Sequence, residues 1–429
     1  LKIRETTLDN GLRIVTASMA DARSLTVNVV VGTGSRYENF AVNGGVSHFL
    51  EHLLFKGSKK YPSAAAIAEA VDAVGGYNNA YTGEDITSFY IKVPSRHGKL
   101  ALDILCDMVK SPLLDPEEID RERGVIEEEI NVFHDDPSRF ISTLVPELIF
   151  PNNPLGKDII GSEEVVKTIT KDAIAAYQRE HYRPNNLVVA VAGSVDHDDT
   201  VDMVKEALGD MEPRELKKFV PVGPEASYDL AAVHSKDTAQ AHFMVAARGY
   251  SYNDPDEPAA RVVAAILGRG TSSRLFTNVR ERQGLAYTVF SDVNSFVDTG
   301  LFEAYAGVNL DKTVKALDSV LHELELIRRE PVAPSELDKA QQQLIAGLEM
   351  SLESNASIAD RIGLQLVLLG RVKPIDEIIA GIEAVTVADV QRVAAEMLAP
   401  KHLRFAIIAP QPELAANYFK EAIMSKEKN

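Results

Sequence analysis

The sequence predicts an α+β protein of two similar duplicated domains, each an antiparallel-rich mixed sheet with helices packed on one side. Three observations lead there. Segments of the first half recur in order in the second, strand patterns arrive as hairpins and meanders, and a proline-rich charged stretch separates the halves.

The elements follow in chain order. Asn10-Gly11 between apolar-alternating stretches marks a hairpin turn, and the run at 25–31 reads as a strand. Helical periodicity appears at 63–74, 100–109, 116–133 and 172–181, with strands near 86–93 and 187–192. Thr170, Pro184, Leu187 and Ala190 then reappear as Thr386, Pro400, Leu403 and Ala406, each displaced by 216 positions. Pro116, Glu118, Ile119 and Asp120 find counterparts in Pro334, Glu336, Leu337 and Asp338, at helix starts where proline is favoured. Two matches in the same order predict a duplicated unit of about half the chain. Pro213, Pro221, Gly223 and Pro224 interrupt both periodicities, so the expected domains are 1–211 and 226–429, joined by a linker at 212–225.

Composition narrows the function classes. With 429 residues, 45% hydrophobic and 25% charged, the chain has the profile of a folded globular protein. A formal charge of -18 without a Lys/Arg block argues against nucleic acid as a partner and suits a basic peptide better. Apolar runs such as 187–192 are strand-length, so no membrane span is expected. Cys106 is the single cysteine, which excludes an intrachain disulfide and a multi-thiolate metal site and fits a reducing compartment. The chain opens on Leu1 with no secretory pattern, so a cytoplasmic location is expected, with the mitochondrial matrix after loss of a targeting segment as the alternative. Gly32-Thr33-Gly34 lacks the third glycine of a dinucleotide loop, and no Gly-x-Ser-x-Gly elbow occurs.

His48, Glu51 and His52 lie among Val46, Phe49, Leu50, Leu53 and Leu54, which read as a buried helix. Positions i, i+3 and i+4 share one helical face, so two imidazoles and a carboxylate point into one small volume. Two such imidazoles chelate zinc, and a carboxylate one turn away can take a proton from water at the metal. The same donors would also accept cobalt or manganese. Catalytic zinc ordinarily takes a third protein ligand and keeps one position open. On a wheel of about 100° per residue, Glu122 and Glu129 fall near the apolar stripe Ile119, Ile126, Ile130 and Phe133, whereas Glu127 and Glu128 point away. Carboxylates on that stripe need a partner, either the metal site or a buried arginine such as Arg123 or Arg96. The wheel alone does not order the two.

The pattern His48-x-x-Glu51-His52, with Glu122-Arg123-Gly124-Val125 leading to Glu129, resembles the peptidases that include pitrilysin, insulin-degrading enzyme and the mitochondrial processing peptidase. The resemblance is nearest to the two-domain processing type and spans nearly the whole chain. It implies a zinc-dependent endopeptidase acting on extended peptides, with His48, His52 and Glu129 as ligands to one Zn2+ per chain. Glu51 would be the general base, and Glu122 would hold a histidine's other nitrogen. Asn79, Ala80, Tyr81 and Thr82 resemble the strand edge that receives substrate as an added strand. Arg280 and Tyr287 resemble a pair that grips substrate carbonyls, and the stretch 273–283 before them reads as a helix stopped by Gly284. The repeat offset puts Ala264 where His48 would fall, so the second domain carries no metal motif. A two-domain chain of this kind implies a homodimer with facing domains. The alternative from another class is a non-catalytic peptide-binding or assembly subunit of the same fold.

Overall fold

The computed structural model describes residues 1–224 and 229–426. Its contacts divide the chain into two compact units.

The first unit comprises 1–131, 157–220 and 349–372. Its strands are β1 (Lys2–Thr7), β2 (Arg13–Ser18), β3 (Ser24–Val31), β4 (Tyr77–Thr82), β5 (Thr87–Pro94) and β6 (Leu187–Gly193). They form one sheet in the order β1-β2-β6-β3-β5-β4, antiparallel except for the parallel pair β2 and β6. Strand alternation sends Val27, Val29, Phe89 and Ile91 to one face, where Leu50, Leu54, Ile104, Ile126 and Ile174 from four helices cover them. Val15, Val188 and Ala190 emerge on the opposite face against Ile358 and Ile362 of the helix Asn355–Leu369. Gly363 lets that helix settle, because a Cβ there would lie 2.8 Å from a Val30 methyl. With both faces covered, β6 is buried along its whole length, which is why it reads as an unbroken apolar run.

The second unit comprises 132–156, 221–348 and 373–429. β7 (Ala231–Ser235), β8 (Gln240–Gly249), β9 (Ala286–Ser295), β10 (Gly300–Asn309) and β11 (Arg404–Ala409) form a sheet in the order β7-β11-β8-β10-β9, again with one parallel pair, β7 and β11. Replacing β2, β6, β3, β5 and β4 by these five in turn reproduces the first sheet without β1. The duplication extends to local chemistry. Thr170 and Thr386 cap the helices Lys171–His181 and Val387–Met397, and Pro184 and Pro400 open short turns before β6 and β11.

The compact units do not coincide with a contiguous division at 1–211 and 226–429. The helix Pro137–Ile149, from the first half of the chain, packs Ile141, Val145 and Ile149 on Met244, Ala246 and Ile408 of the second sheet. Asn355–Leu369, from the second half, does the reciprocal on the first sheet. Each sheet therefore carries, besides the helical layer expected on one side, a single helix on its other face. Helical periodicity reveals that a face is apolar and is silent about which sheet will bury it. Glu225, the end of the expected linker, and residue 226, the start of the expected second domain, lie outside the described residues. Among the described residues no helix is long and apolar enough to cross a membrane.

The helix Lys171–His181 ends on a buried imidazole. His181 is 3% exposed, lies 4.3 Å from the Tyr177 ring and meets Tyr37 edge-on at 5.9 Å. Burial pushes its pKa down to about 4, with Glu180 opposing. A base whose folded pKa is depressed stabilises the fold fully above its ordinary value, about 6.5, and loses that contribution as pH falls toward 4. Urea unfolding of the zinc-free protein should therefore show H181N losing less stability than the parent between pH 7 and pH 4.5; equal losses would remove His181 from the account.

Candidate metal centre

The helix Val46–Leu54 begins at Gly45, whose φ of 90° and proximity to the Ile160 carbonyl, 2.4 Å from any added Cβ, leave room only for glycine. Its open N-terminal amides are met by a side chain from outside the helix. The Glu38 carboxylate accepts from Gly45 N–H at 2.6 Å and from Ser47 N–H at 2.7 Å. Burial pushes Glu38 up to about 7, with the bonds from Ser47 and Gly45 opposing. Ser47 Oγ also pairs with Tyr177 OH at 2.8 Å, and that hydroxyl with Thr33 Oγ1 at 2.8 Å. The helix is thus tied to the end of β3 and to its helical neighbour while Phe49, Leu50, Leu53 and Leu54 fill the core.

That anchorage leaves His48, Glu51 and His52 for the remaining face. The two imidazoles stand 4.7 Å apart. Glu129, from the helix Pro116–Asp135, brings Oε2 to 3.7 Å from His48 Nε2 and 3.5 Å from His52 Nε2. These separations are long for hydrogen bonds. They match the edge of a tetrahedron around an ion with bonds of about 2.1 Å, roughly 3.4 Å. The donor set of two imidazole nitrogens and one carboxylate oxygen therefore fits zinc with a position to spare. Among the described residues no second such cluster occurs.

The electrostatics of these groups follow from burial and from their closeness to one another. Burial, then the neighbouring His52, lowers His48 to about 4, so that it stands neutral. On His52 burial acts the same way, but Glu129 and Glu122 outweigh it and the net shift is upward. Glu129 is lowered, first by His52. It sits half-exposed, its side chain 47% accessible, at the rim of the apolar stripe rather than within it. Glu122, seven positions earlier, is the carboxylate that the stripe buries, with its side chain 3% accessible.

Glu122 Oε2 lies 3.1 Å from His52 Nδ1, and Oε1 lies 2.6 Å from Lys56 Nζ. Neither arginine considered from sequence, Arg123 or Arg96, takes that place, and Arg123 donates instead to the carbonyls of Val166 and Ile169. Glu51 Oε2 accepts from Thr82 Oγ1 at 2.5 Å. Burial raises the Glu51 carboxyl, and the Thr82 bond and His52 oppose it. Thr82 ends β4, the outermost strand of its sheet, and on the opposite face Tyr81 OH donates to Asp360 at 2.6 Å. Asn79 is exposed, and its side chain bonds Tyr77 OH and the amide of Ala80.

In the second unit the helix expected over 273–283 is wound wide. Residues Phe276–Glu281 form a π-helix in which the Arg282 amide reaches Thr277, five residues back, before Gly284 turns at φ 59°. Arg280 stacks over Phe276 at 4.6 Å and over Tyr287 at 5.5 Å, and Tyr287, on the outermost strand β9, is 72% exposed. The helix Glu257–Gly268 presents Val262, Val263, Ala264, Ala265, Ile266 and Leu267, all buried, with no metal ligand among them.

Sequence reasoning did not single out Glu38 or Lys56. Lys56 was within reach, since it repeats the four-residue step from His52. Glu38 has no periodic signature, because its role depends on a loop folding back over a helix start.

Comparison with known proteins agrees with this geometry. A family profile described as Insulinase (Peptidase family M16) matches residues 13–163, and one described as Peptidase M16 inactive domain matches 168–344. The chain is 36% identical over 427 residues to an uncharacterized zinc protease of Streptomyces coelicolor, covering 98% of this chain and 92% of that protein. It is 31% identical over 423 residues to a probable mitochondrial-processing peptidase beta subunit of Arabidopsis thaliana, covering 96% and 79%. A crystal structure of a protease from Helicobacter pylori superposes with a TM-score of 0.89 at 24% identity, over 95% of this chain and 99% of that one. On the two profile matches and the near full-length identity to zinc proteases, the chain belongs to peptidase family M16, the insulinase family.

Proposed function

We propose that the chain is a zinc-dependent endopeptidase that hydrolyses extended peptides or unstructured segments, with one Zn2+ per chain. The convergence of His48 Nε2, His52 Nε2 and Glu129 Oε2 on one small volume carries the reading. Bound zinc supplies Lewis acidity that polarises a peptide carbonyl and acidifies water near neutral pH. Glu51, one helical turn from His48 and next to His52, takes the proton of the attacking water and delivers it to the amine as the C–N bond breaks. Thr82 holds Glu51 in one orientation through its hydroxyl. Glu122 holds His52 by its Nδ1.

The substrate in this proposal lies along β4, adding a strand through main-chain hydrogen bonds at Asn79, Ala80, Tyr81 and Thr82. The outermost position of β4 supports this, because strand addition needs an unoccupied edge. Arg280 and Tyr287 donate hydrogen bonds to substrate carbonyls or to the developing oxyanion, and the exposure of Tyr287 on β9 supports that role. We further infer a homodimer in which one subunit's zinc is served by its partner's Arg280 and Tyr287. The processing-peptidase type is supported by the likeness to the Arabidopsis protein.

Three tests follow. Metal analysis should find one zinc per chain, lost in E129Q and retained in E51Q, whose turnover of a mixed peptide library drops by about 10²–10⁴-fold; full activity of E51Q would refute its role. T82V should keep its zinc while kcat falls about tenfold, the worth of one hydrogen bond to a charged group. Mixing E51Q with Y287F should restore part of the activity, since a shared site regains one intact centre. Inactive mixtures that demonstrably contain mixed dimers would count against the shared arrangement.

A further inference from the structure

We infer that Lys56 is a positioning residue for the metal site, acting through Glu122 on His52. The inference rests on the reading of His48, His52 and Glu129 as zinc ligands.

Lys56 follows the motif helix, and its amide still donates to the Leu53 carbonyl at 3.0 Å, so the helical course continues just far enough to set its direction. Four residues separate it from His52. At that spacing both side chains leave the same face and meet the same neighbour, the buried carboxylate of Glu122. One oxygen of Glu122 goes to each: Oε2 at 3.1 Å from His52 Nδ1 and Oε1 at 2.6 Å from Lys56 Nζ.

A carboxylate touched at one oxygen swings readily about its terminal torsion, which has no sharp minima. Held at both oxygens, it presents a fixed acceptor to the imidazole. His52 then donates from Nδ1, its ring plane is set, and Nε2 is left with the lone pair that faces Glu129 Oε2 at 3.5 Å.

The two histidines differ in this respect. His48 Nδ1 is buried and has no hydrogen-bond partner among the described residues, so His48 has no such outer clamp. The orientation of the ligand pair therefore leans on the single arm Lys56–Glu122–His52. The two cations beside Glu122 in sequence are engaged elsewhere: Arg123 donates to the Val166 and Ile169 carbonyls, and Arg121 pairs with Glu118. A buried ion pair adds little net stability over apolar neighbours, but deleting one partner strands the other, so zinc affinity is compared only among variants that fold.

The test measures zinc affinity by competition with a chromogenic chelator for the parent, K56M, K56R, E122Q and the K56M/E122Q double variant, each checked for folding by circular dichroism. K56M should bind zinc about tenfold more weakly, at the lower end of the roughly 10–100-fold effects of removing outer partners of a ligand, and K56R should recover most of the loss. In the E122Q background the same substitution should change affinity by less than about twofold, because the arm is already cut. Affinity of K56M within twofold of the parent would overturn the inference, as would a K56M loss that persists in full beside E122Q. Should K56M not fold, K56Q takes its place in both comparisons. A parent protein that binds no zinc would instead defeat the reading of the ligands, an outcome separate from either.

Discussion

Two buried carboxylates hold the helix that carries both imidazoles, and the chemistry of this protein depends on that hold. Glu38 meets the open amides at the start of the helix, and Glu122 meets His52 and Lys56 at its end. Neither is close to a free choice for a protein, since an unpaired buried carboxylate is expensive. Both are satisfied by groups of one twelve-residue stretch, Gly45 through Lys56, so the two costs are offset in the act of fixing one element. A metal site gains from such rigidity because ligand directions set before the ion arrives need not be ordered on binding.

The two sheets share a strand order and a single parallel pair, yet among the described residues only one unit brings ligands together. Where the first unit places His48, Glu51 and His52, the second buries valines, alanines, isoleucine and leucine in the helix Glu257–Gly268. Helix-on-sheet packing tolerates either solution because the core-facing side of both helices is apolar. The two helices diverge on a face that the first unit leaves to polar side chains and the second buries. The second unit instead carries Arg280 on a π-wound turn and the exposed Tyr287 on an outermost strand.

Much of the site was legible before any coordinates. The step from His48 to His52 is enough to predict a shared face, because helix geometry is local. Glu129 was recognisable as one of two candidates for a similar reason: seven residues make two turns, so Glu122 and Glu129 had to emerge near the same stripe. What the wheel could not do was tell them apart. Burial separated them, placing Glu122 under the histidine and Glu129 at the rim with an oxygen facing both Nε2 atoms. The bond from Thr82 to Glu51 was out of reach, since it joins an outermost strand to a helix across a packed layer.

By itself the sequence determined the elements, the duplication and the inverted histidine pair, all of which follow from periodicities and spacings within a few turns of chain. Only the tertiary structure decided which sheet each apolar helix would cover, sending Pro137–Ile149 and Asn355–Leu369 to the sheets of the opposite halves. It also decided which buried polar groups would meet. Periodicity records that a face must be hidden from water; the partner that hides it is selected by shape and by the pairing of distant polar atoms, and neither leaves a local trace in the chain.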